Sequence, residues 1–224
     1  METVILLIML LVSVSFLLKL TFMRPLPVIL EAALIALVAV GSTDEAAMQS
    51  KTQISAWLQT PDLMLDMAVL LTVDVAVQLA FCIAEVSGEA GLAGRILRRI
   101  LLYLPGLLIF PVTFYILVQL IFAFTGTDFS TVGYAMGGLI LVAVPLMAFG
   151  LKQMLPEGPV RLELIFDLNC IIALLGIIAT VNGRTATVGV NEVNMPALGV
   201  MAALMVCGGA AGIILYKRKI NKQS

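Results

Sequence analysis

Asp74, Gln78 and Glu85 lie along one line of a segment that the surrounding residues make almost wholly apolar. At 100° per residue the three side chains fall within about 40° of one another, and Asp66 sits about 80° from Asp74 by the same count. A carboxylate in such a place can take up and release a proton or hold a cation. Inserting it at mid-bilayer costs about 2.5–3.5 kcal/mol, so such groups face a protein interior or water. Asp74 is expected roughly 19 Å along its helix, near mid-membrane. Its neutral form is favoured there unless a cation or donors are close. No Lys or Arg is expected at that depth, so a proton, a cation or a partner must supply the compensation. The other reading of Asp74 is a hydrogen-bonded structural acid.

A second acidic line holds Glu163 and Asp167, one helical turn apart, with Asn169 and Cys170 nearby. Asp167 is the deeper of the two and ranks second to Asp74. Glu31 lies about one turn inside its own apolar stretch, and Lys19 is at similar depth. Lys19 is expected to extend its stem toward the interface, or to pair with Glu31 or Asp167.

The elements that must position these groups are membrane helices. The chain is 61% hydrophobic and 12% charged with a mean hydropathy of +1.11, too few polar residues to cover a soluble domain of 224 residues. Apolar stretches of spanning length fall at about 2–23, 26–41, 61–86, 102–124, 131–153, 162–182 and 195–216. Eleven of the 13 Lys and Arg residues occupy alternate gaps: Lys19 and Arg24; Arg95, Arg98 and Arg99; Lys152 and Arg161; Lys217, Arg218, Lys219 and Lys222. The intervening gaps hold Lys51 and Arg184. Basic residues stay on the cytoplasmic side, which predicts a seven-helix, all-α bundle with its N-terminus outside and C-terminus inside. The whole chain reads as one membrane domain. Its first stretch is read as a helix and not a signal peptide, because its start is acidic and no small-x-small site follows.

Several local signals refine this map. Ser42 and Glu45 have capping-box spacing, and Ile54, Trp57 and Leu58 follow at helical intervals, predicting an interfacial helix over 44–58. Arg95 to Leu104 reads as an interfacial segment, broken by Pro105-Gly106 before the fourth span, with Pro111 as a further kink. Such a break is tolerated in a membrane only where other groups satisfy the freed backbone. Residues 183–194 read as a compact outer loop. Pro27–Glu31 repeats as Pro159–Glu163 with four identities in five, which raises a three-plus-one-plus-three arrangement of parallel halves.

Gly133 and Gly137 in helix five, and Gly199, Ala203, Cys207, Gly208, Ala211 and Gly212 in helix seven, form small-residue faces. These suit close packing within the bundle, a homo-oligomer or a partner membrane subunit. Cys82, Cys170 and Cys207 read as packing residues. The chain has no histidine, which removes histidine-ligated metal and haem sites and Ser-His-Asp triads. It has no phosphate-binding GxxxxGK[ST] loop and no large basic surface, so neither nucleotide nor nucleic acid is expected, nor any cofactor or metal. Membrane lipid is the expected surrounding, and a bacterial cytoplasmic membrane the expected location. A non-enzymatic, proton- or cation-coupled transport protein is the first functional expectation. The second is a non-catalytic subunit of a larger membrane machine, such as a proton-driven stator or uptake complex.

Overall fold

The computed structural model describes residues 2–49, 61–87, 92–124 and 126–181. They belong to the unit Met1–Arg184; a second unit, Thr185–Ser224, lies outside the described residues. With it go the seventh expected span, the outer loop at 183–194 and the helix-seven small-residue face. Among the described residues the regular structure is helical throughout: α1 (Glu2–Leu20), α2 (Pro25–Gly41), α3 (Thr43–Ala47), α4 (Pro61–Val86), α5 (Leu92–Tyr103), α6 (Ile109–Ala123), α7 (Phe129–Met154) and α8 (Gly158–Val181). Four of these, α1, α4, α7 and α8, are long and apolar enough to cross a membrane; α2 and α6 are apolar but shorter. Large apolar side chains are exposed along them, as for Leu37, Val69, Val142 and Leu174, which is costly in water and ordinary against lipid.

Two seams organise the unit. In one, α2 packs along α7; in the other, α8 packs against both α1 and α4. The first is built on glycine. A Cβ on Gly137 would stand 2.8 Å from Val40 Cγ2 and 3.4 Å from the Ala36 carbonyl, and one on Gly133 would overlap the Thr43 side chain. The Gly133–Gly137 pair therefore packs inside the bundle, where small residues let backbones approach. Gly176 does the same for α8, with Leu71 of α4 pressed into the space a Cβ would fill. Under the internal echo, α1 corresponds to α7 and α2 to α8, an exchange that turns one seam into part of the other. The echoed acids differ, however: Glu31 is buried and Glu163 exposed.

Two local readings change. Ser42 forms no capping box: its Oγ donates back to the Ala39 carbonyl at 3.2 Å, and its backbone (φ −92°, ψ 7°) is not the extended conformation such a cap needs. The helix that follows ends at Ala47, and Ile54, Trp57 and Leu58 lie outside the described residues. The fourth span is also not continuous from 102. Residues 101–103 close α5, 104–108 are non-helical, and α6 starts at Ile109. Pro111 sits in the first turn of α6, where its missing N–H costs nothing. The proline inside a helix is Pro145, in α7.

The turn after α1, the end of α4 and the start of α8 meet at one end of the unit. Phe22, Glu85, Val86, Ser87, Gly158 and Pro159 line a single cavity of about 700 Å³ there. Arg24, Arg95, Arg98 and Arg99 surround another. Residues of gaps one, three and five thus come together at these two cavities.

Candidate functional site

The break between α5 and α6 is where the buried charges converge. Pro105 cannot donate a backbone hydrogen bond and Gly106 adds conformational freedom, so the helix stops and peptide groups are left over. Two side chains from other helices take them up. Lys19 Nζ, from the last turn of α1, donates to the Leu104 carbonyl at 2.6 Å. Asp74 Oδ1, from the middle of α4, accepts from the Leu107 N–H at 2.6 Å. The freed backbone is thus engaged by a lysine on the carbonyl side and an aspartate on the amide side.

Lys19 is 1% exposed and Asp74 5%. Lys19 therefore does not snorkel to the interface. Its ammonium is held by the Leu104 carbonyl, by the face of Phe81 at 5.7 Å from the ring centroid, and by electrostatic attraction to both Glu31 and Asp74. Contrary to the expectation that no basic residue lies near Asp74, Lys19 is within electrostatic range of it. The two do not collapse into a direct ion pair. The peptide groups of residues 104–107 stand between them.

Gln78, 2% exposed, turns toward the same break. A Cβ on Gly106 would stand 3.3 Å from Gln78 Nε2 and 3.4 Å from Asp74 Oδ1. Glycine here allows the chain to lie directly against the acid. Buried acceptors remain without a donor among the described residues: Gln78 Oε1 and both carboxylate oxygens of Glu31. Each unsatisfied buried polar group costs about 1–3 kcal/mol. Gln78 lies beside Asp74 at the break, and Glu31 lies within electrostatic range of Lys19.

An aromatic layer separates this junction from the cavity at the end of the unit. Phe81 packs edge-to-face on Phe22, centroids 5.7 Å apart, and Phe22 lines the cavity. On its far side the Arg161 guanidinium lies 4.9 Å from the Phe22 centroid and reaches the Thr21 carbonyl at 3.5 Å. Arg161 is buried, with Nε unpartnered.

The remaining candidates are elsewhere. Glu85 receives a two-pronged bond from Arg98 of α5 at a partly exposed site. Asp66 is exposed toward the start of α4, and Glu163 is exposed at the cavity rim. Asp167 is exposed on α8 and does not meet Lys19. Besides Arg161, α8 turns Asn169 inward, whose Nδ2 donates to Ser15 Oγ at 2.8 Å and to the Ile165 carbonyl at 2.7 Å. Cys82 is buried and Cys170 half-buried, both as free thiols. The residues missed from sequence are Lys19 as a buried partner and Gly106 as the contact point. The Pro105-Gly106 pair signalled the break but not which helices would fill it.

Comparison of the chain with family models, with curated proteins and with solved structures returns no match.

Proposed function

We propose that this chain is an integral membrane protein of the transport class, in which Asp74 binds and releases a proton or a monovalent cation. The observation that supports this reading is the broken helix at residues 104–108. Discontinuous helices at membrane depth line substrate and coupling-ion sites in transporters, because their freed backbone groups can bind charge. Here those groups are engaged by a buried acid and a buried lysine; Gln78, its Oε1 unpartnered among the described residues, lies beside the break, and Glu31 is within electrostatic range of the lysine. Protonation of Asp74 removes one of the two charges that hold the break, so loading and backbone geometry are linked. Lys19 is the counter-charge, and Glu31 the second carboxylate within its field. The end of the unit that carries the basic gaps faces the cytoplasm in this reading.

The test is flux through the purified chain in proteoliposomes carrying a trapped pH dye, driven by an imposed potential with sodium or potassium outside. Wild type should move protons or exchange them for one of the cations, and Asp74→Asn should abolish that movement while expression and detergent stability persist. Wild-type flux no greater than that of empty vesicles would overturn autonomous transport and leave the subunit reading. Equal flux in Asp74→Asn would remove Asp74 from the mechanism.

A further inference from the structure

A second concentration of charge lies away from the buried junction. Arg24, in the turn before α2, and Arg95, Arg98 and Arg99, on α5, converge with Leu102 and Tyr103 around a cavity of about 510 Å³. Among the described residues, no carboxylate lines it. Arg98 is engaged by Glu85, which leaves three exposed guanidinium groups facing one concavity. Like charges held together from separate elements repel each other, and an anion between them relieves that repulsion. Arginine also has the matching shape: its planar fork meets phosphate oxygens two at a time.

The surroundings say what carries the phosphate. From one residue beyond Arg24, α2 presents Leu26, Ile29, Leu30, Leu34 and Leu37 as exposed side chains at helical spacing. On α5, Ile96, Leu97 and Ile100 are exposed beside the arginines. An acyl chain descending from a headgroup in the cavity would lie along this apolar strip, and a free phosphate would leave it unused. We propose that Arg24, Arg95 and Arg99 bind the phosphate headgroup of an anionic phospholipid, with its acyl chain against the exposed face of α2. Basic pockets next to membrane helices recognise anionic headgroups in this way. The proposal needs only that the chain sits in a bilayer; it stands whether or not Asp74 couples transport.

The full chain, delipidated in mild detergent, is titrated with dioleoylphosphatidylglycerol or dioleoylphosphatidylcholine and examined by native mass spectrometry. Phosphatidylglycerol adducts should predominate, and Arg95→Gln combined with Arg99→Gln should weaken them by about 30-fold, with the helical circular dichroism unchanged. Raising salt from about 50 to about 500 mM should strip the lipid from wild type, because the contacts are exposed charges. This arm remains decisive even where the double variant folds poorly. Millimolar inorganic phosphate should not compete. Equal binding of the two lipids, salt-insensitive adducts, or an unaffected well-folded double variant would each overturn the proposal. Full displacement by phosphate alone would overturn the lipid source and make the site one for free phosphate.

Discussion

The seam between α2 and α7 and the junction among α1, α4 and the α5–α6 break bring helices together by opposite means. At the seam, glycines remove side chains so that backbones touch, and Val40 and Thr43 fill the space. Those glycine contacts involve no charged group. At the junction the helix is interrupted instead, and Lys19 and Asp74 reach in to satisfy what the interruption leaves. The seam gains from dispersion and close fit, which no protonation alters. The junction depends on charge, so its stability and its chemistry reside in the same atoms. A protein that needed only to stay folded would have little use for the second arrangement, since buried ion networks are seldom more stable than apolar ones.

Substitutions can break that contrast, and the largest effect should come from Lys19. Lys19→Met strands the Leu104 carbonyl and removes the cation facing two buried acids. Loss of one partner from a buried charge network costs about 3–5 kcal/mol. A sharp fall in the detergent melting midpoint is expected, and an unchanged midpoint would show that the lysine is a bystander. Next is Gly137→Leu, which drives a side chain into Val40 and the Ala36 carbonyl at a cost of about 1–3 kcal/mol. Its flux per folded molecule should equal that of wild type, and a specific flux defect would erase the division between seam and junction. Asp74→Asn keeps an oxygen for the Leu107 N–H, so its stability should change by about 1 kcal/mol while flux is lost. Measured with Lys19→Met in a double-mutant cycle, it should show coupling of about 0.5–3 kcal/mol. The smallest effect belongs to Glu85→Gln. Its pair with Arg98 is partly exposed, and its loss should cost less than about 1 kcal/mol in melting experiments at moderate salt.

Local rules carried the reading of the helices and half of the junction. Hydropathy placed α4 at 61–86, and the 3.6-residue period set Asp74 and Gln78 on one face, where they are buried together. The break at Pro105-Gly106 was visible as backbone chemistry. What could not be read was which distant side chains would meet it. Lys19 is near the end of α1, and sequence depth alone assigns such a lysine to the interface; its burial comes from residues 81 and 104, far away in the chain. Asp167 is the complementary case, exposed among the described residues. It and Asn169 are about 160° apart on α8, so only one can face α1. Packing turned the neutral amide inward, which costs less to bury than an acid and found Ser15 as a partner. Ser42 and Glu45 matched a spacing, but α2 runs on into α3 with no extended residue at which the box could close.

The short run 104–108 is also the covalent joint between α5 and α6. As a 12-residue helix, α5 is about 18 Å long, with three arginines along it and its far end beyond them. Any tilt of that rod against α6 has to be absorbed at the joint, where Leu104 holds the lysine and Leu107 the aspartate. The surface helix and the buried lysine and aspartate are therefore joined through the same five residues.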